Sequence, residues 1–316
     1  MSFFSILLAL LLEQARPLAR GNLVHASMRG WVRWVIRSFD AGRTPHGWLS
    51  WSLAVGGPAL AALVIYWLLL GLIGWPLAML WNVAVLYATL GFRQFSHHFT
   101  DIRKALDSGD EARARSLLAE WQQIDASELP RQEIIRHVIE HSVLSAHRHV
   151  FGVLSWFSIL AALGLGPAGA VFYRLAEFVT RYWPYLSSQQ GQPVSETARA
   201  AAAWAWHLVD WVPARITSLG FAVVGSFEDA IDNWRNYETL PHVDNDGVIV
   251  AATAGAVNVR LGGTVASAEG EQVSTVATTR PEPELAHLGS IVGLVWRSVV
   301  LWMALLALLT LARLLG

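Results

Sequence analysis

The chain has 316 residues, of which 54% are hydrophobic and only 15% charged, with a net charge of −1. So little charge at this length gives more apolar surface than one soluble core needs, which points to a membrane protein and away from nucleic acid as a main partner. The absence of cysteine excludes disulfides, thiol catalysis and Cys-ligated metals, while 16 tryptophans suit a bilayer–water interface.

Residues 2–12 form an apolar run too short to span a bilayer alone, closed by Glu13. It lacks a basic n-region and a small-residue cleavage site, so it reads as retained rather than as a signal peptide. Arg16, Arg20, Arg29, Arg33, Arg37 and Arg43 follow, against only Glu13 and Asp40. Trp31, Trp34 and Val35 sit among them at helical spacing, the pattern of an amphipathic helix lying on a membrane surface. Excess arginine in a short loop places this segment on the cytoplasmic side.

Residues 51–73 are long and apolar enough to span. Gly71, Gly74 and Pro76 break the helix, and residues 77–92 return as a shorter span that ends at Arg93. Residues 93–149 are polar: two amphipathic helices around a turn at Gly109, then a helix from Arg131 into His149 after Pro130. Residues 150–179 are apolar but interrupted at Gly164–Gly169, which fits a re-entrant hairpin, a broken helix or one kinked span. A linker spans 184–198 and an amphipathic helix Thr197 to Val209. Asp210 and Arg215 then flank Pro213, so helical spacing between them cannot be assumed, and a small apolar helix covers 216–225. Residues 264–284 read as disordered from their Ser, Thr, Glu and Gly content. Residues 289–312 make the clearest single span.

The segments are therefore 1–50, 51–92, 93–149, 150–183, 184–263, 264–288 and 289–316. The expected fold is all-α: a polytopic integral membrane protein with about 4–5 membrane-embedded helices plus amphipathic cytoplasmic helices.

Three constellations carry chemistry. Glu133, His137 and His141 share one helix face at i, i+4, i+8, a carboxylate and two imidazoles open to a metal, beside Glu140. A solvated or interfacial face is the competing reading, and no metal is assigned. Asp210 and Arg215 form the second, with a local ion pair as the bland alternative. The third is Asn245-Asp246-Gly247 with the small-residue run Ala251–Gly263, which holds Gly255, Arg260, Gly262 and Gly263. A helix ending in a glycine cap explains it by packing. A glycine turn beside a permanent cation explains it as an anion site. Walker, dinucleotide-binding and Gly-x-Ser-x-Gly motifs are absent.

Several blocks resemble the CobD/CbiB family of late cobalamin synthesis. They are Leu90-Gly91-Phe92-Arg93, Ala105–Asp110 with Ala114-Arg115, Gly164–Arg174, Asp210–Arg215, and Asn245–Gly247 with Ala251–Gly263. The likeness runs from about Leu90 to the C-terminus. It implies a membrane enzyme of the adenosylcobinamide-phosphate synthase type, which joins the carboxylate of adenosylcobyric acid to aminopropanol (or ethanolamine) phosphate by an amide bond. On this resemblance Arg215, Asn245, Gly247, Gly255, Arg260, Gly262 and Gly263 would hold phosphate, and Asp210 or Glu140 would act on the amine. A corrinoid would be a substrate, and a divalent cation stays open as a cofactor.

The family's opening signature survives only as Glu13, Pro17, Gly21 and Val24-His25. Its acidic helix is replaced by Ile139–His149, and its asparagine-threonine-leucine-aspartate segment by Leu175–Trp183. There, and in Phe3–Glu13, the chain is similar to the AmpE family, which implies the alternative of a non-catalytic membrane modulator in β-lactamase induction or cell-wall signalling. Either way the expected partners are the lipid bilayer and an anionic small molecule, with no nucleic acid. The expected location is the bacterial inner membrane, with polar segments mainly cytoplasmic.

Overall fold

The computed structural model describes residues 2–16, 23–189, 191–262, 264–266, 272–274 and 280–315. Apart from one two-stranded hairpin, its regular elements are helices, as the composition predicts. The chain divides into two compact units: Met1–Gly91 with Arg148–Pro213, and Phe92–His147 with Ala214–Gly316.

The first unit holds α1 (Ser2–Ala15), α2 (Leu23–Phe39), α3 (Thr44–Leu72) and α4 (Trp75–Thr89). Later in the chain it adds α8 (Gly152–Ala162), α9 (Ala168–Gln189) and the first half of α10 (Glu196–Val224). At 29 residues, α3 is about 43 Å long, enough for a hydrocarbon core of about 30 Å. Only 22% of its most apolar window is buried within the protein, unlike a soluble core helix. Gly74, at φ +108°, and Pro76 start α4, whose 15 residues reach only about 22 Å.

Between residues 150 and 179 the chain forms two helices packed on each other, not one kinked span. Gly164 and Gly166, both in the left-handed region, turn α8 into α9. Gly166 also approaches the Tyr66 ring so closely that a Cβ there would lie 2.5 Å from Cγ. Helix α9 continues through Pro184 to Gln189, where a linker was expected.

Helix α10 corrects a second expectation, for it runs unbroken through Pro213. A proline frees the carbonyl four residues back; here the Val209 carbonyl accepts the Trp156 indole N–H at 2.9 Å. Pro58 inside α3 repeats the device, with the Ala54 carbonyl accepting from Trp31 Nε1 at 3.2 Å. Two of the tryptophans thus stabilise proline-containing helices.

The second unit holds α5 (Phe92–Asp107), α6 (Glu111–Gln122) and α7 (Arg131–Ala146). Gly109, at φ +77°, makes the expected turn between the first two. A single π-turn, His147–Phe151, joins α7 to α8. After α10 come α11 (Phe227–Glu238), α12 (Asn245–Ala256) and α13 (Leu285–Leu315). Helix α13 is the second one long and apolar enough to cross a membrane, with 28% of its window buried. Two helices pass that test among the described residues, fewer than the four or five expected embedded helices. The segment expected to be disordered contains strands β1 (Thr264–Ala266) and β2 (Gln272–Ser274), paired antiparallel with Val265 opposite Val273. Their β-branched residues suit a strand.

Candidate functional site

In the second unit, α11 and α12 pack as a close hairpin, and this explains the small-residue run. A Cβ on Gly255 would lie 2.2 Å from the Asp229 carbonyl oxygen, and one on Gly247 would lie 1.9 Å from Tyr237 Oη. Both glycines, expected to face an anion, have a packing reason. Asp244 caps α12 by accepting the Gly247 N–H at 2.8 Å, and Tyr237 Oη donates to the same carboxylate oxygen at 2.7 Å. Burial first, then the bond to Asp244, pushes the Tyr237 phenol up to about 12.

This hairpin fixes Asn245, whose Oδ1 accepts from Arg215 Nη1 at 2.9 Å. Arg215 Nη2 also lies 3.3 Å from Glu238 Oε1. Two of the predicted residues, Arg215 and Asn245, therefore meet, joined by a carboxylate that sequence reasoning missed. A rigid guanidinium fork suits a carboxylate or phosphate oxygen.

A second cluster of the same unit gathers around Glu140. Its Oε1 accepts the Gly262 N–H at 2.8 Å, and Arg136 Nη1 lies 3.0 Å away. Arg136 Nε donates to Glu133 at 2.8 Å. Glu140, expected to be catalytic, is thus engaged in holding a turn that Gly262 makes at φ +89°. Arg260 pairs with Glu282, and its backbone N–H donates to the Pro281 carbonyl at 2.9 Å. Gly263 lies outside the described residues.

The metal candidates do not converge. Glu133 is bonded to Arg136, and the His141 ring packs edge-on against Trp121 at 4.5 Å. Burial first, then the Arg136 charge, lowers the His137 pKa. Among the described residues no group of three or more His, Asp or Glu side chains is placed to hold a metal ion.

Asp210 belongs to the first unit, whereas Arg215, five positions on in the same helix, belongs to the second. Asp210 is fully buried and accepts from Tyr173 Oη at 2.7 Å. The tyrosine fits because the facing residue is Gly152, where a Cβ would lie 2.0 Å from Cζ. One helical turn further along α9, Glu177 is 2% exposed and pairs with Arg174 at 2.9 Å and with Arg181. Sequence reasoning missed this triad, although its i, i+3 and i, i+4 spacing is legible once α9 is read as one helix.

Comparison with known proteins identifies the family. Residues 5–310 match the family described as CobD/Cbib protein. The chain is 31% identical to the cobalamin biosynthesis protein CobD of Stutzerimonas stutzeri over 328 aligned positions, covering 96% of each chain. It is 31% identical to that of Chromobacterium violaceum over 261 positions, covering 81% of this chain and 80% of the relative. The protein of the same name from Leptospira interrogans is 27% identical over 60% of this chain and 58% of its own. No solved structure matches.

Proposed function

We infer function from one premise: the chain belongs to the CobD/CbiB family. On that premise it acts in cobalamin synthesis, joining the carboxylate of adenosylcobyric acid to aminopropanol (or ethanolamine) phosphate by an amide bond. The observation that carries this reading is the likeness to a relative named cobalamin biosynthesis protein CobD over 96% of both chains. The AmpE-like modulator reading gains no comparable support and is set aside.

Both substrates present anionic groups, and the Arg215–Asn245 contact supports an anion-holding role for those residues. Arg260 would have to exchange Glu282 for a ligand. Asp210 or Glu140 acts on the amine, each giving up a present partner: Tyr173 Oη for Asp210, Arg136 and the Gly262 N–H for Glu140. In this reading the protein sits in the bacterial inner membrane, with α3 and α13 crossing it and the arginine-rich segments on the cytoplasmic side. The short α4 and the α8–α9 hairpin are embedded beside α3.

The test is calorimetric titration of the detergent-purified full chain with adenosylcobyric acid and, separately, with aminopropanol phosphate, followed by mass analysis of the combined mixture supplied with ATP and magnesium. Binding of both and formation of the amide are expected. A folded protein that binds neither would overturn the reading.

A further inference from the structure

In the second unit, Arg260 stands on a turn whose backbone is held independently of its side chain. Val259 and Leu261, on either side of it, are fully buried, and the Arg260 side chain between them is 38% exposed. The Val259 N–H donates to the Ala254 carbonyl at 3.0 Å, and the Gly262 N–H to Glu140 at 2.8 Å. Asn258, at φ +50°, turns the chain off the end of α12. The guanidinium is therefore presented from a fixed backbone.

Residues 280–284 lie against this turn as an extended strap that leads into α13. Its anchor is Arg280, whose side chain is only 12% exposed. Arg280 Nη1 donates to Asn258 Oδ1 at 2.9 Å, and Nη2 to Asp229 Oδ1 at 3.3 Å. The Pro281 carbonyl then accepts the Arg260 N–H. Pro281 and Pro283 flank Glu282, and Pro283 is buried. Each proline fixes its own φ and biases the residue before it towards extended backbone. Glu282 is thereby set on the Arg260 guanidinium.

The anchor and the pair differ in kind. Arg280 is nearly buried with two acceptors, whereas Glu282 is 36% exposed and its pair with Arg260 gains little over the two hydrated partners. A firm anchor that holds a weak ionic contact keeps a carboxylate close to the guanidinium yet easy to displace. A phosphate monoester carries close to two negative charges and three acceptor oxygens, against one charge and two oxygens on Glu282.

We propose that the strap is an internal competitor: on Arg260, the Glu282 carboxylate occupies the place that the phosphate of a phosphate monoester takes when it binds. The proposal rests on the reading that Arg260 holds the phosphate-bearing substrate. It adds that the chain's own carboxylate, held at high effective concentration by the Arg280 anchor, sets how strongly the site takes an anion.

The test follows melting of the full-length protein in a neutral detergent as inorganic phosphate is added, and then aminopropanol phosphate. Saturable stabilisation is expected, and Arg260→Ala should abolish it. Glu282→Gln should move the midpoint about two- to sixfold to lower phosphate, the range for removing a competitor held as an exposed ion pair is held. Glu284→Gln removes the same charge from an exposed residue two positions on and should leave the midpoint unchanged. Arg280→Gln removes a cation, yet should also tighten phosphate because it frees the strap; a general charge effect has the opposite sign. A wild-type midpoint in Glu282→Gln, an equal shift in Glu284→Gln, or a phosphate response absent from both wild type and Glu282→Gln overturns the proposal. So does weaker or unchanged phosphate binding in folded Arg280→Gln; if that variant does not fold, Glu282→Gln and Glu284→Gln decide. Amide formation is measured separately. Amide made by a protein whose Glu282→Gln midpoint is unchanged removes the strap alone, and tightened phosphate without amide removes the cobalamin reading alone.

Discussion

The two units treat their arginines differently. In the second unit several arginines pair with carboxylates: Arg136 with Glu133 and Glu140, Arg215 with Glu238, Arg260 with Glu282, and Arg280 with Asp229. In the first, Arg174 and Arg181 share one carboxylate, Glu177, on the same helix. Matched pairs near the surface serve architecture and contribute little each. A buried carboxylate that serves two guanidinium groups is costly to lose, because both pairs go with it. The contrast is between pairs that each join one arginine to its own carboxylate and one buried carboxylate that two arginines share.

The sharpest way to break this contrast is to remove a carboxylate from each side. Glu177→Gln takes the partner from two guanidinium groups, one of them nearly buried, and should destabilise the folded protein by about 3–5 kcal/mol, the scale for breaking a buried pair. Glu282→Gln removes a half-exposed partner and should cost about 0.2–1 kcal/mol. Thermal unfolding in detergent measures both. Equal effects would mean that the two units do not differ as argued.

Two of the second unit's pairs, Arg215–Glu238 and Arg280–Asp229, draw their acids from α11, which packs on α12. Gly255→Ala places a methyl against the Asp229 carbonyl and should cost about 1–3 kcal/mol or somewhat more, because backbone rather than a side-chain tip must yield. It should also weaken any ligand held by Arg215 and Asn245. A neutral Gly255→Ala would return the glycine to the ligand-approach reading.

Tyr237 gives a pH signature for the same hairpin. Its phenol is at about 12 in the folded protein, above the ordinary value of 10. The unfolded chain therefore loses this proton first, and the tyrosine's contribution is complete below pH 10 and fades as pH rises towards 12. Tyr237→Phe should lower stability near neutral pH by about 1 kcal/mol and flatten the alkaline decline. An unchanged slope between pH 10 and 12 would show that Tyr237 does not donate to Asp244.

Much of this was legible locally. Gly74 with Pro76, Gly109 and Pro130 punctuate the chain where the helices end or begin, and the lengths of the apolar runs around 51–73 and 289–312 declare α3 and α13. The failures have non-local causes. Pro213 stays inside a helix because its freed carbonyl is met by Trp156, 53 residues away from that acceptor. Nothing in the flanking residues reveals that. The small-residue run supported packing and ligand approach equally, and the choice lay with Asp229 and Tyr237 on another helix. Of the site, Arg215 with Asn245 and Glu140 with Gly262 come together, but Arg260 finds its partner 22 residues on, beyond a segment expected to be disordered.

Arg260 gives the smallest stability effect and a decisive division of labour. Its pair with Glu282 has side chains 38% and 36% exposed, so Arg260→Ala should shift stability by no more than about 1 kcal/mol. If Arg260 exchanges Glu282 for a phosphate-bearing substrate, the same variant should weaken aminopropanol phosphate by about 1.5–3 kcal/mol, the scale of a charge-assisted hydrogen bond. Melting and calorimetric titration of one preparation read the two quantities. A large loss of binding with little loss of stability would make this arginine a ligand residue despite its matched charge, and would blur the contrast between the units. Unchanged binding would leave it as the clasp between the Gly262 turn and the segment leading into α13.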